Sequence, residues 1–136
     1  MNTAIAQNAP PIGSARLWTG RVLSALPILM LTMSASMKLS HAQNFVQKWT
    51  DNLGFRESTL TPIGLLELFV MIVYAVPRTR VIGAILVTGY LGGATAAHVR
   101  IGEPVLVPVL LGVFAWLGLW LTEPRLHALT PFRAPR

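Results

Sequence analysis

The chain has no cysteine and very little acid. Among its 136 residues stand only 5 Asp and Glu against 11 Lys and Arg, and charged residues together make up 12%. Without thiols there are no disulfides, no thiolate metal ligands, no thiol redox chemistry and no covalently attached c-type haem. The charged share is about half that of an ordinary soluble domain. Long charge-poor runs stand in its place. Four apolar stretches, 17–39, 61–76, 81–97 and 105–121, are each about the length a helix needs to cross a bilayer. The charges cluster between these stretches instead of recurring every turn, as they would on a soluble amphipathic helix. The sequence therefore predicts an all-α fold, an integral membrane four-helix bundle. A membrane domain over 16–126 is expected between two cytoplasmic tails, 1–15 and 127–136.

The net charge of +6 comes without a basic stripe, a basic helix or an aromatic-interleaved basic run, which excludes nucleic acid as a partner. Topology explains the excess. Arg16, Arg21, Arg78, Arg80, Arg125, Arg133 and Arg136 fall on one side of the four stretches, and Lys38, Lys48, Arg56 and Arg100 on the other. The positive-inside rule then places both termini in the cytoplasm, with the lipid bilayer of the inner (plasma) membrane as surroundings. Residues 16–36 carry the outline of a signal peptide, but apolar character continues through Met37 and Leu39, so the stretch reads as a retained span.

Between the first two spans, Ala42, Phe45, Val46, Trp49 and Leu53 recur at spacings of three and four, with Gly54 placed to end a helix. A short amphipathic helix is expected there, lying on the outer surface or capping the bundle. Val76-Pro77-Arg78 makes a sharp stop, so spans two and three are antiparallel neighbours. Small residues mark the helix contacts: Gly64 on the second span, and Gly89, Gly93 and Ala97 as a small-xxx-small ladder on the third. The fourth span sets Pro104, Pro108, Gly112, Trp116 and Trp120 on one slowly drifting face.

Glu67 is the one carboxylate well inside an apolar stretch. An ionisable group at membrane depth is costly and is a candidate functional residue for that reason. It lies six residues into the second span, roughly 9 Å below the outer boundary at the helical rise. The same topology brings Lys38, His41, Tyr90, His98 and Arg100 to the outer half, with Tyr90, Ala94 and His98 on one helix face. Glu67 has two ways to be tolerated: an ion pair, with Lys38 best placed to reach down to it, or a neutral, protonated state hydrogen-bonded to Tyr90 or a hydroxyl. It can equally serve only to tie helices together. His98 is read as a partner for Glu67 or an interfacial residue, and Arg100 as a boundary anchor. No metal is expected, because the paired ligand spacings of bundle metal sites are missing. Nor is there a Ser-His-Asp order, a paired carboxylate or a phosphate loop; Gly92-Gly93 lies inside a span, not after a strand.

Five strings give the chain a family likeness: SASMKL at 34–39, GLLEL at 64–68, VPRT at 76–79, IGAILVTGYLGGATAAHVRIG at 82–102 and WLGLWLTEPRL at 116–126. Together they resemble the small four-span DoxX-like membrane proteins over most of the chain from about Leu17 onward. The resemblance implies a four-helix membrane bundle and an association with quinone-coupled oxidation of sulfur compounds or other membrane redox complexes. It carries Lys38, Glu67, Tyr90, His98 and Arg100 as the polar positions of interest. The chain shows no cofactor motif of its own, so quinone is the one cofactor in view and a self-sufficient oxidoreductase is not expected. Three functions compete: an accessory subunit of a membrane redox system, a small transporter using Glu67, and a structural assembly protein. A membrane redox partner or a homo-oligomer would complete the first two.

Overall fold

The computed structural model describes residues 13–127; residues 1–12 and 128–136, most of the two expected tails, lie outside the described residues. Helix α1, Ser14–Leu39, runs 26 residues without a break through Pro27 and carries Lys38 in its last turn. A short α2, Gln43–Gln47, continues into one wide π-helical turn, Lys48–Asn52. This segment ends at Gly54, whose φ of 67° is the left-handed conformation that favours glycine. A 3-10 turn at Glu57–Thr59 leads into α3, Leu60–Ala75. Helices α4, Arg80–Arg100, and α5, Leu106–Thr122, follow, and a final turn α6 spans Pro124–His127.

Local sequence explains these boundaries. Val76 turns extended ahead of Pro77, which has no N–H to continue α3. The Thr79 hydroxyl donates back to the Val73 carbonyl at 2.8 Å, closing the α3–α4 turn. Within the apolar helices, Thr88, Thr95 and Ser36 each donate to the carbonyl four residues earlier at 2.8 Å. Their hydroxyls are thereby satisfied without water, as membrane depth requires.

The long helices form a ring: α1 packs on α3 and α5, α4 packs on the same two, and α1 and α4 oppose each other across the diagonal. Large apolar side chains point outward all round it, among them Leu29, Met33, Phe69, Ile82, Ile85 and Leu106. So continuous an apolar exterior suits lipid, not water. Three helices are long and apolar enough to cross a membrane: Ser14–Leu39, Glu57–Ala75 and Arg80–Arg100. The fourth, Leu106–Thr122, is apolar but shorter.

At the end of the ring that holds both described chain ends, the helices touch backbone to backbone. A Cβ on Gly118 would collide with Ser24 and the Gly20 backbone of α1, and one on Gly83 with the Tyr74 backbone of α3. Tyr74 is fully buried and donates its hydroxyl to the Ala115 carbonyl at 2.8 Å, joining α3 to α5. Arginines gather at this end, Arg16 lying 5.5 Å from the Trp120 ring and Arg21 5.7 Å from that of Trp18.

The opposite end is looser, and here the structure corrects the sequence. A Cβ on Gly89 or Gly93 would meet nothing within 4 Å, so no helix among the described residues packs on these two rungs of the ladder that ends at Ala97. The diagonal placement of α1 leaves that face of α4 without a close neighbour. The seam of close approach is instead Gly20, Ser24 and Gly118 with Gly83, and only Gly20-x3-Ser24 announces it by its spacing. Gly83→Ala and Gly118→Ala are therefore expected to lower the thermal midpoint in detergent, by the equivalent of about 1–3 kcal/mol of overpacking. Gly93→Ala should leave it unchanged or raise it, since alanine is the better helix former by about 1 kcal/mol. An equal loss at Gly93 would mean that something covers α4 there.

Candidate functional site

Where the small residues of α4 leave room, the bundle holds a cavity of about 600 Å³. All four long helices and the α2 segment wall it. Its side chains are mostly apolar, with Lys38, Glu67, Tyr90, His98, Ser34 and Lys48 as the polar exceptions.

Lys38 and Glu67 meet in its wall. The Lys38 Nζ lies 2.8 Å from Glu67 Oε2, with Lys38 4% and Glu67 0% exposed. Of the two states open to Glu67, the structure shows the ion pair. Its geometry depends on Gly64, one turn before Glu67 on α3. The Cβ position of Gly64 is 3.1 Å from both Lys38 Cβ and Leu39 Cγ, so α1 sits against α3 at the level where the ammonium must reach across. Lys38 Nζ also donates to Ser34 Oγ at 2.6 Å, one turn back on α1, and lies 4.9 Å from the Phe45 ring centroid. The second carboxylate oxygen, Glu67 Oε1, is buried without a hydrogen-bond partner. The Tyr90 hydroxyl stands within hydrogen-bonding reach of the Glu67 carboxylate and is its nearest further donor, and Tyr90 lines the same cavity with Ala94 and His98, the face that their spacing marked out.

The α2 segment closes the loop end. Its stripe turns inward: Trp49 is buried, stacked on Phe45 with centroids 6.1 Å apart and tilted against Phe55 at 5.0 Å. The Trp49 indole N–H donates to Thr59 Oγ1 at 2.9 Å. A second ion pair straps this segment to the α4–α5 connection, Lys48 Nζ meeting Glu103 Oε2 at 2.8 Å. His98 Nε2 lies 3.7 Å from the same carboxylate oxygen, and its Nδ1 2.8 Å from the Ala94 carbonyl.

The family model described as the DoxX-like family covers residues 22–118. The chain belongs to the DoxX-like family. No curated protein and no solved structure matches it.

Not every residue singled out in this DoxX-like chain joins the cavity. His98 lines it but partners Glu103 and not Glu67, because the last turn of α4 lifts its ring to the level of the loops. Arg100, two residues on, is exposed and lies over Gly54 outside the cavity. His41 is also exposed, held at a φ of 49° with Nε2 3.0 Å from Thr61 Oγ1 and Nδ1 3.4 Å from Glu57 Oε1. Among the described residues no group of three or more His, Cys, Asp or Glu is arranged to hold a metal ion. Sequence reasoning missed Ser34 and the Lys48–Glu103 strap as parts of the site. Ser34 stands at i−4 to Lys38, a signal that was legible; nothing local ties residue 48 to residue 103.

Two expectations follow from this geometry. Lys38→Met leaves Glu67 buried beside no cation, and breaking a buried pair typically costs about 3–5 kcal/mol. Adding Glu67→Leu should recover most of that loss in detergent unfolding, whereas simple additivity of the two single changes would show the pair to be uncoupled. The second expectation concerns pH. The hydrogen bond from Lys48 holds the Glu103 carboxyl below the usual carboxylate range, aided by the charges of Lys48 and His98. A depressed carboxylate lends its stability above the unfolded value of about 4.3 and loses it as pH falls through the folded one. The strap should thus release in acid below about pH 4.3, read as a change in Trp49 fluorescence that Glu103→Gln abolishes.

Proposed function

We propose that this DoxX-like protein crosses the plasma membrane four times with both termini in the cytoplasm. In this reading it is an accessory subunit of a membrane redox system, and its cavity receives a quinone headgroup. The 17 residues of α5 lie at the lower limit of about 17–25 for a spanning helix. The cavity carries the reading. At about 600 Å³ it falls within the range of roughly 300–1,000 Å³ typical of small-molecule sites, which are likewise apolar with a few convergent polar groups. A pair serving only to tie helices together would need no such space beside it. Met33 lines the cavity while 58% exposed, so the site is reached from the apolar exterior, where a quinone resides. Tyr90 and His98 supply groups able to orient a headgroup or exchange protons with it. The sequence brings no cofactor motif of its own, so electron transfer belongs to a partner protein.

Reconstituted protein should bind a short-chain quinone analogue, seen as quenching of Trp49. Gly93→Leu fills the cavity from an uncrowded position and should abolish quenching while the thermal midpoint is kept. No binding by the unaltered protein, together with unchanged quinone reduction in membranes lacking it, would remove the redox reading.

A further inference from the structure

Two left-handed backbone positions bracket the α2 segment, His41 at a φ of 49° and Gly54 at 67°. Glycine adopts that conformation freely, whereas other residues held there cluster at switch regions. Between the two positions the segment carries a small core of its own. Trp49 packs on Phe45 and Phe55, and its indole N–H is taken by Thr59 just before α3. Compact loops packed by their own side chains are frequently functional, and one with its own core can turn as a unit. Phe45, Lys48, Trp49, Leu53 and Phe55 all line the cavity, so this segment stands between it and the water at the loop end. Its tie across the mouth is electrostatic. Lys48 Nζ meets Glu103 Oε2 on the α4–α5 connection at 2.8 Å, the two side chains being 43% and 30% exposed. His98 Nε2 stands 3.7 Å from the same oxygen. An ion pair this exposed is weak, in contrast to the buried pair of Lys38 and Glu67 that joins the helices beneath it.

We propose that the α2 segment is a lid that swings on His41 and Gly54, with Lys48 and Glu103 as its latch. Hinges of this kind are a few loop or helix-end residues that absorb the change in φ and ψ. Opening the lid joins the cavity to the aqueous phase at the loop end. The cavity already reaches the apolar exterior at Met33, which lines it while 58% exposed. With the lid open it has two mouths, one in lipid and one in water. A membrane-soluble compound can then pass between the two phases by way of the cavity. This access is independent of which compound the cavity receives, quinone or other.

The lack of cysteine makes a direct test possible, because one introduced thiol is the only thiol present. Ala94→Cys places it on the cavity wall, and Ile85→Cys, at an exposed apolar position of α4, serves as the comparison. The full-length protein in lipid nanodiscs is treated at neutral pH with a charged, lipid-insoluble methanethiosulfonate and, separately, with an uncharged one. Labelling is followed by mass spectrometry. Glu103→Gln and, separately, Lys48→Met unlatch the lid. Each should speed labelling of the Ala94→Cys protein by the charged reagent about two- to fivefold, as loss of an exposed ion pair allows. The uncharged reagent, which enters through lipid, should react at an unchanged rate. The Ile85→Cys protein should stay slow toward the charged reagent in every background. A charged-reagent rate at Ala94→Cys that neither unlatching variant raises overturns the lid. So does a rise that Ile85→Cys or the uncharged reagent shows equally, since that reports a general loosening of the bundle. The two variants break the latch from opposite sides, so if one fails to fold the other decides.

Discussion

The buried ion pair between Lys38 and Glu67 is the constraint around which the loop end of this bundle is arranged. Two charges removed from water lose far more hydration than an exposed pair does, and they persist only when close and well bonded. That requirement explains the surroundings. Gly64 brings α1 against α3, Ser34 takes a second donor of the ammonium, and the Phe45 ring lies beside Nζ. The pair joins the last turn of α1 to the second turn of α3 and fixes the height of both helices. Tyr90, on α4, faces the same carboxylate and links it to the wall of the cavity.

The two ends of the bundle are built differently. At the end holding the chain ends, Gly20, Gly83 and Gly118 let backbones meet, and Tyr74 bridges α3 to α5. With little hydrophobic drive between helices in lipid, such close approach and hydrogen bonding hold them together. At the other end Gly89 and Gly93 face open space, so small side chains there create volume. The same residue type therefore does opposite things on one helix. A tight end provides the rigidity that lets an open end keep a cavity without collapsing, and the strap of Lys48 and Glu103 ties the α2 segment over it.

Several of these features could be read in the chain beforehand, and for clear reasons. The helix extents follow from runs of apolar residues ended by proline, glycine and charge. The amphipathic stripe of Phe45, Trp49 and Leu53 ended at Gly54, as its spacing indicated. Depth and reach made Lys38 the best-placed cation for Glu67 but left a neutral carboxylate open as well; the 2.8 Å contact decides for the pair. The partner of His98 did not follow, because that depends on the height of one ring relative to a loop carboxylate. Arg100 shares the sequence neighbourhood of His98, yet helical rotation turns it out of the cavity.

Sequence by itself determined the apolar helical character of this DoxX-like chain and the level at which its polar residues gather. Those properties are set by composition and by the fixed rise of a helix, which require no knowledge of neighbours. Tertiary structure alone decided which glycines pack and which line a space, because that depends on which helix stands opposite. It also decided that Lys38 meets Glu67 while His98 turns to Glu103, which depends on the heights of side chains that no spacing encodes.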